Sequence, residues 1–389
     1  MKLTSLSQRI SAHGANAWRT HICADEDKKQ GKDVIILSIG DNEINTAGPI
    51  VDTAISALRS GDTHYTDVQG RPQIRQAVAD YQKRVFDHDV RAQNVTITAG
   101  TQNALFISML LLLEPGDEVI VADPMYVTYS ATLTASGAKI VRLPCRREND
   151  FMPDPSELET LVTDKTKALF FASPVNPTGA VFSKDTLMEI AQISQRHGLW
   201  VVADEVYGTM VFDGQHTVMA SLPGMSERCI TLGSLSKSHA MTGWRVGWAI
   251  GPDEFSQKAA ELCMCMTYGL PGFIQQAAIV ALEHDTTALN ELYKKRRDFA
   301  LDVLSDLPNI NCICPKSGMF LLLPIDKTGI TSDAFVRALY KQTGVSVLDA
   351  ELFGEELRNM VRINFTLDEQ ELTIGLNRIK SFIQDSITT

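Results

Sequence analysis

Seven short apolar runs alternate with longer helix-like stretches between residues 94 and 250, and this alternation constrains the fold more than any other feature. Most runs are rich in valine, isoleucine and phenylalanine and are continuous rather than alternating, which is typical of strands buried on both faces. Strand–helix alternation predicts an α/β domain with a mostly parallel sheet. The predicted strands are Asn94–Thr98, Glu118–Ala122, Lys139–Leu143, Lys167–Ala172, Leu199–Asp204, Arg228–Leu232 and Val246–Ile250.

The pattern changes after about residue 290. Leu289–Leu304 is typical of a long charged helix, and a strand-like segment, Met319–Leu323, follows it. A chain of 389 residues is long enough to bury two cores. We therefore expect a large domain over residues 46–289 and a smaller α+β domain that contains residues 290–389.

Composition argues against several classes of protein. The net charge of -11 argues against non-specific binding to nucleic acid. The longest apolar stretch, Ala104–Leu113, is shorter than the ~20 residues of a membrane-spanning helix, so we expect no membrane association. The chain shows no secretory signal and has seven scattered cysteines, which predicts a cytoplasmic protein without a disulfide framework. The pairs Cys263/Cys265 and Cys312/Cys314 are spaced more tightly than usual zinc ligands, so we predict no metal site.

Polar residues follow four of the predicted strands at the point where each strand ends. Asp204 closes one strand, and Asn176 follows Lys167–Ala172. In open α/β sheets, ligands bind beyond the carboxyl ends of the strands, so we expect these side chains to share one site. The other polar groups at strand ends are Ser234, Ser236 and Lys237 after Arg228–Leu232, and Gly100, Thr101 and Gln102 after Asn94–Thr98.

The segment around Lys237 has the most specific chemistry. The hydroxyl residues Ser236 and Ser238 flank the lysine, and Arg245 follows eight positions later. A lysine amine can form an imine with an aldehyde cofactor, while hydroxyl and guanidinium groups can hold the phosphate of that cofactor. The segment therefore predicts a cofactor site that combines a covalent anchor with a phosphate cradle.

Each motif also has a simpler interpretation when it is taken alone. Thr101 could be only a helix N-cap, and the Asn-Pro-Thr-Gly sequence that starts at Asn176 only a turn. Asp204 could belong to a surface turn, and Lys237 to a solvated loop. Their occurrence together at strand ends, with complementary chemistry, favours a common site.

The segment Gly233–Gly247 resembles the lysine signature of the class I and II aminotransferases, which use pyridoxal 5'-phosphate as an electron sink. The other family motifs occur along essentially the whole chain in the family's order. The resemblance implies the fold type I architecture, with a large domain built on a mostly parallel seven-stranded sheet flanked by helices, and a smaller α+β domain. It also implies that residues 1–45 pack with residues 290–389, and that the protein is a homodimer with shared sites.

The same resemblance assigns roles around the cofactor. Lys237 corresponds to the residue that forms the imine and moves the proton between substrate and cofactor. Asp204 would keep the pyridine nitrogen protonated, while Tyr207 and Asn176 would hydrogen-bond to the phenolic oxygen. Tyr126 resembles the aromatic residue that stacks on the ring. The phosphate ligands implied are Gly100, Thr101, Gln102, Ser234, Ser236 and Arg245, together with Tyr65 from the neighbouring subunit.

The resemblance also identifies residues for the substrate. Arg362 would bind the α-carboxylate through its forked guanidinium, with Gly40 and Asn176 at the same group. The chain departs from the family near its N-terminus, because it has Gly-Asp-Asn-Glu-Ile at residues 40–44 where members often have Gly-Glu-Pro-Asp-Phe. Asp41 and Glu43 in this segment could pair with a substrate guanidinium, or they could be solvated loop acids.

Within the family, three segments resemble the arginine:pyruvate transaminases, namely residues 13–21, 125–129 and 236–242. We therefore expect ping-pong transfer of the amino group of an L-amino acid, arginine or another basic one, to a 2-oxo acid such as pyruvate. Two enzymatic alternatives stay open: a carbon–sulfur β-lyase, and an aminotransferase for aromatic, acidic or small amino acids. A regulatory protein that binds the cofactor without turnover is disfavoured by the acidic charge.

Overall fold

The computed structural model of the chain describes residues 3–11, 18–307 and 310–388. Within these residues, twelve strands form three sheets. The strands are β1 (Ile35–Ile36), β2 (Val95–Thr98), β3 (Glu118–Asp123), β4 (Lys139–Pro144), β5 (Thr166–Ala172), β6 (Trp200–Asp204), β7 (Cys229–Ser234), β8 (Gly247–Ile250), β9 (Phe320–Pro324), β10 (Val345–Ser346), β11 (Leu348–Asp349) and β12 (Met360–Asn364).

Helices account for most of the remaining regular structure. None of those described is both long enough and apolar enough to cross a membrane. The α-helices are α1 (Ser5–Ser11), α2 (Arg19–Lys29), α3 (Gly48–Arg59), α4 (Pro72–Phe86), α5 (Thr101–Leu112), α6 (Tyr129–Leu133), α7 (Pro155–Leu161), α8 (Lys184–His197), α9 (Asp253–Met266), α10 (Gly272–Glu283), α11 (Thr287–Leu304), α12 (Ser332–Thr343) and α13 (Glu369–Thr388).

The largest sheet has seven strands in the order β2-β8-β7-β6-β5-β3-β4. Neighbouring strands are parallel, except that β8 runs antiparallel to both β2 and β7. The seven strands are those predicted from the sequence, with ends that differ by no more than two residues. One such difference makes Ser234 the last residue of β7 rather than a residue that follows the strand. The predicted α/β fold with a mostly parallel sheet is confirmed.

Helices cover both faces of this sheet, which explains the continuous apolar runs in its strands. In β3, Val119 and Val121 point into a core shared with α5 and α9, whereas Ile120 and Ala122 point into a core shared with α8. All six residues of β3 are buried. Because both faces of the strand lie in cores, the sequence has no need to alternate between apolar and polar residues.

The C-terminal part of the chain forms a smaller α+β unit. Strands β11, β12 and β9 make an antiparallel sheet in that order, and α11, α12 and α13 share its core. Strand β1 pairs in parallel with β10, and its Ile35 lies in the same core as Phe335 and Leu376. This part of the N-terminal segment therefore packs with the smaller unit.

The first helix makes a different contact. Arg9 in α1 donates to the carbonyl oxygens of Thr134 and Ala135, at 3.0 Å and 2.9 Å, just after α6 of the large unit. Residues 13–17, part of the segment that resembles the arginine:pyruvate transaminases, lie outside the described residues. The domain boundaries near residues 45 and 290 stay a prediction.

Candidate active site

A cleft of about 890 Å³ lies at the carboxyl ends of β5, β6 and β7, where the large sheet meets β9 and β12. Twelve of the fourteen residues predicted for the site line this cleft. The parallel strands end at the same edge of the sheet, which brings together side chains that are far apart in the sequence. The twelve are Gly40, Thr101, Gln102, Tyr126, Asn176, Asp204, Tyr207, Ser234, Ser236, Lys237, Arg245 and Arg362.

Lys237 lies three residues beyond the end of β7, and its Nζ donates to the carbonyl oxygen of Gly40 at 2.6 Å. Burial lowers the pKa of this amine to about 8; Asp41 opposes the shift, whereas the cationic Arg362 and Arg245 add to it. The neutral fraction of this amine near physiological pH is therefore larger than that of an ordinary lysine. A neutral lysine amine is a nucleophile and a base.

Asp204 is the last residue of β6 and is only 3 % exposed. Its Oδ2 accepts a hydrogen bond of 2.6 Å from the phenol of Tyr129, and its Oδ1 accepts one of 3.1 Å from the backbone N–H of Val206. Burial raises the pKa of Asp204 to about 6, these two hydrogen bonds lower it, and the neighbouring charge of Glu205 raises it. The result is a buried acid of fixed orientation whose charge would be stabilised by a cationic partner.

The start of α5 is chemically suited to an anion. The first N–H groups of a helix have no partner within it, and Thr101 and Gln102 place theirs at the cleft. Arg245 approaches so closely that a Cβ on Gly100 would lie 2.4 Å from its Nη2. Gly100 also has a φ of 85°, a backbone conformation that residues with a side chain rarely adopt. Gly100 therefore lies behind the guanidinium and makes room for it.

The two serines of the lysine segment form a local network. Ser234 Oγ donates to the carbonyl oxygen of Val246 at 2.8 Å and lies 2.8 Å from Ser236 Oγ, and the backbone N–H of Ser236 donates to Ser234 Oγ at 2.9 Å. Both hydroxyls are buried and line the cleft. This network fixes the loop that carries Lys237.

Arg362 in β12 is a buried guanidinium, only 1 % exposed. It donates to Asn176 Oδ1 at 3.0 Å and to the carbonyl oxygen of Ser38 at 2.7 Å, and it stacks 3.8 Å from the ring centroid of Phe320. Its Nε has no hydrogen-bond partner, and no carboxylate in the described part of the chain forms an ion pair with it. Burial lowers its pKa to about 10. A buried, uncompensated cation beside a cleft is well suited to an anionic ligand.

Two tyrosines, Tyr126 and Tyr207, also line the cleft. Burial raises the pKa of both Tyr126 and Tyr207, so both phenols are neutral hydrogen-bond donors at ordinary pH. The ring of Tyr126 meets that of Tyr129 edge-on, with centroids 5.5 Å apart. The ring of Tyr126 is therefore held in place by packing.

The segment that departs from the family pattern contains two acids with different environments. Asp41 lines the cleft, and its Oδ1 accepts a hydrogen bond of 2.8 Å from Thr242. Glu43 does not line the cleft and forms an ion pair of 3.3 Å with Arg296 in α11. The carboxylate of Glu43 is therefore paired with a guanidinium of the protein itself.

Tyr65, like Gly100, does not line the cleft of its own chain. Its side chain is 85 % exposed, and its ring contacts that of Tyr268 edge-on at 5.0 Å. The resemblance assigned Tyr65 to a neighbouring subunit, so its position outside this chain's own cleft does not contradict that assignment.

Several cleft residues were not predicted to have a role. Tyr129 follows Tyr126 by three residues, and this spacing within a short helical segment is the one signal that could have identified it. Phe320 lies in a strand that was predicted only as a core element. Trp18 and His21 line the cleft from the start of α2, and His21 Nδ1 lies 3.0 Å from Ser38 Oγ.

Comparison with known proteins identifies the family. Residues 32–379 match the family described as aminotransferase class I and II. The chain is 43 % identical, over 97 % of each sequence, to the arginine–pyruvate transaminase AruH of Pseudomonas aeruginosa. It is 34 % identical, over 91 % of each sequence, to an aspartate aminotransferase of Pyrococcus horikoshii. Its fold superposes on Thermus thermophilus aspartate aminotransferase with maleate with a TM-score of 0.92, at 29 % identity, covering 98 % of this chain and 99 % of the other.

These matches extend over nearly the whole chain, and the relatives named above are aminotransferases. The family predicted from the lysine segment and the strand-end residues is thereby confirmed. The chain belongs to the class I and II aminotransferases and is a pyridoxal 5'-phosphate-dependent aminotransferase.

Proposed function

We propose that this aminotransferase transfers the amino group of L-arginine, or of another basic amino acid, to a 2-oxo acid such as pyruvate. The observation that carries this proposal is the 43 % identity, over 97 % of both chains, to a protein named arginine–pyruvate transaminase. Identity to the aspartate aminotransferase of Pyrococcus horikoshii is lower, at 34 %. Because a few side chains decide substrate specificity within one fold, the proposal needs a direct test.

The residues of the cleft fit the cofactor. Pyridoxal 5'-phosphate supplies an aldehyde, a ring nitrogen that accepts electron density when protonated, and a phosphate. We assign the phosphate to the N-terminus of α5 with Ser234, Ser236 and Arg245, and the ring nitrogen to Asp204. This assignment is supported by the free N–H groups of Thr101 and Gln102, by the close approach of Arg245 to Gly100, and by the buried carboxylate at the end of β6.

Lys237 is proposed as the catalytic base. In its neutral form, Nζ removes the proton from the α-carbon of the amino acid and carries it between the two reacting carbons. Its lowered pKa supports this role, because the amine loses its proton at a lower pH than an ordinary lysine amine does. Tyr126 would stack on the ring of the cofactor, and Tyr207 would donate a hydrogen bond to its phenolic oxygen.

The α-carboxylate of the substrate is assigned to Arg362, with Asn176 and the backbone of Gly40 beside it. The unpartnered Nε of Arg362 and the lack of an ion pair within the described residues support this assignment. Asn176 already accepts a hydrogen bond from Arg362 through Oδ1, so its Nδ2 is free to donate. Amino donor and keto-acid acceptor would use the same groups in turn, as a ping-pong mechanism requires.

The active unit is proposed to be a homodimer in which Tyr65 reaches the phosphate in the neighbouring site. Exposed apolar side chains support this arrangement: Tyr65 and Tyr268 contact each other, and Met264 and Met266 are 51 % and 42 % exposed in the last part of α9. Exposed large apolar side chains that lie together are typical of subunit interfaces.

We also propose that the protein acts in the cytoplasm. All seven of its cysteines are free thiols, which is the usual state in a reducing compartment. Fractionation of cells that express the protein would test this proposal.

An absorbance titration of the cofactor-loaded protein tests the substrate proposal. Amino acids are added singly, and the band of the lysine-bound cofactor is followed. Loss of the band with arginine, ornithine or lysine, and its recovery with pyruvate, is the expected result. A response confined to aromatic, acidic or small amino acids would agree with aminotransferase activity and contradict the proposal of a basic amino donor.

A further inference from the structure

We propose that Asp41 is the residue that selects a cationic substrate side chain. This inference rests on the proposed function, because it names the group that would distinguish a basic amino acid from a neutral one of the same shape. Asp41 lines the cleft one residue after Gly40, whose carbonyl oxygen accepts the hydrogen bond from Lys237. Its carboxylate is therefore close to the reacting groups.

The balance of charges in the cleft supports this role. The Asp, Glu, Lys and Arg residues that line it are Asp41, Asp204, Lys237, Arg245 and Arg362. With the assignments proposed above, Lys237 holds the cofactor, Arg245 faces its phosphate, Asp204 pairs with the ring nitrogen and Arg362 binds the α-carboxylate. Asp41 is left as an anion without a charged partner, and a cationic side chain of the substrate would compensate it.

The hydrogen bonds of Asp41 hold its carboxylate in place and leave one oxygen available. Oδ1 accepts from Thr242 Oγ1 at 2.8 Å and from the backbone N–H of Asn42 at 2.9 Å. Within the described part of the chain, Oδ2 accepts no hydrogen bond and Asp41 forms no ion pair. A guanidinium or ammonium group can therefore donate to Oδ2 without displacing an existing partner.

The cleft also offers apolar surface for the stem of a long side chain. Trp18, Ile22 and Ile39 line the cleft with Asp41. Arginine and lysine both have a flexible aliphatic stem below a charged head, and such stems lie favourably on apolar surface. An aromatic ring such as that of Trp18 also attracts a cation near its face.

Glu43 provides a matched control. It lies two residues further along the same segment, but its carboxylate is paired with Arg296 and does not line the cleft. Glu43→Gln therefore removes the same kind of charge from the same segment without removing an anion from the cleft.

The test compares L-arginine with L-citrulline, in which a neutral ureido group replaces the guanidinium at nearly the same size. kcat/KM is measured for both donors with pyruvate in wild type, Asp41→Asn, Asp41→Glu and Glu43→Gln. Asp41→Asn should lower the arginine/citrulline ratio by about tenfold, as expected for a charge-assisted hydrogen bond at a partly solvated site. Asp41→Glu should retain most of the ratio, and Glu43→Gln should leave it unchanged.

The ratio separates selectivity from a general effect on the reaction. The charge of Asp41 also raises the pKa of Lys237, so its removal changes the reactivity of that amine toward both donors alike. Equal losses for arginine and citrulline in Asp41→Asn would overturn the role of Asp41 and leave the proposed function intact. A wild-type enzyme that reacts with neutral or acidic donors, but with no basic one, would overturn both proposals.

Discussion

The phenol of Tyr129 donates a hydrogen bond of 2.6 Å to Oδ2 of Asp204, and both side chains are buried. The backbone N–H of Val206 donates to the other carboxylate oxygen, so the acid is held from two sides. The ring of Tyr129 is itself fixed by an edge-on contact with Phe170, with centroids 4.8 Å apart. We infer that Tyr129 is a positioning residue, which orients Asp204 and stabilises its ionised form.

Tyr129→Phe should make Asp204 harder to ionise. Burial already raises the pKa of Asp204 to about 6, and the hydrogen bond from Tyr129 opposes that rise. Without the hydrogen bond the pKa rises further, so the acidic limb of the kcat profile should move to higher pH by about one unit. The kcat of the variant relative to wild type should therefore fall more at about pH 6 than at about pH 8.5. Measuring kcat of both proteins across this pH range checks the prediction.

Tyr340→Phe is the control for this variant. Tyr340 also donates to an aspartate, Asp27 Oδ2 at 2.5 Å, but neither residue lines the cleft. Its substitution should leave the pH profile of kcat unchanged. A Tyr129→Phe enzyme whose kcat falls by the same factor at every pH would contradict the positioning role.

The reactivity of Lys237 should depend on pH in the cofactor-free protein. Burial lowers the pKa of its amine to about 8, so the neutral, nucleophilic fraction increases as the pH rises through that value. The rate of reconstitution with pyridoxal phosphate should increase between about pH 7 and 9 and then level off. Stopped-flow absorbance measures this rate, and free lysine treated in the same way corrects for titration of the cofactor. A rate that is constant over this range would contradict the lowered pKa.

Lys237→Ala should bind the cofactor without a covalent bond and lose turnover. Removal of a group that is both nucleophile and base should lower kcat by more than about 10³-fold. Lys258→Ala is the control, because Lys258 is exposed and pairs with Glu261 on the surface of α9. Substantial transamination by the Lys237→Ala enzyme would contradict the assignment of the base.

The large sheet and most of the site could be predicted from the sequence, because one physical rule connects them. Strands buried on both faces give continuous apolar runs, and the polar residues that end those runs meet at one edge of the sheet. Asp204, Asn176 and Lys237 could be placed together in this way. Arg362 could not, because it lies in β12 of the smaller unit, and only the family resemblance identified it.

Contacts that depend on packing between distant elements were not predictable. Tyr129 reaches Asp204 across 75 positions of sequence, and the contact depends on where α6 lies relative to β6. The pairing of Glu43 with Arg296 depends on the face that α11 presents to the segment after Gly40. Neither position follows from local propensity, so the different environments of Asp41 and Glu43 became clear only in the structure.

Arg362→Lys should weaken both half-reactions. The guanidinium donates to Asn176 and Ser38 while stacking on Phe320, and an ammonium group cannot reproduce this planar geometry. Because donor and acceptor both have an α-carboxylate, kcat/KM should fall by about 10²-fold for arginine and for pyruvate. Arg337→Lys, at an exposed ion pair with Asp333, is the control. A loss confined to one of the two substrates would contradict a shared carboxylate site.

Mixing a Lys237→Ala variant with a Tyr65→Ala variant tests whether Tyr65 acts in the neighbouring site. If it does, each site takes Lys237 from one subunit and Tyr65 from the other. A hybrid of Lys237→Ala and Tyr65→Ala subunits then has one site with both defects and one site with neither. Unfolding and refolding the two variants together should then restore about a quarter of the wild-type activity, since half of the dimers are hybrids with one intact site. If Tyr65 served its own subunit, every site in the hybrid would contain one defect and no activity would return. Each variant refolded alone measures the background, and size-exclusion chromatography confirms that dimers have formed.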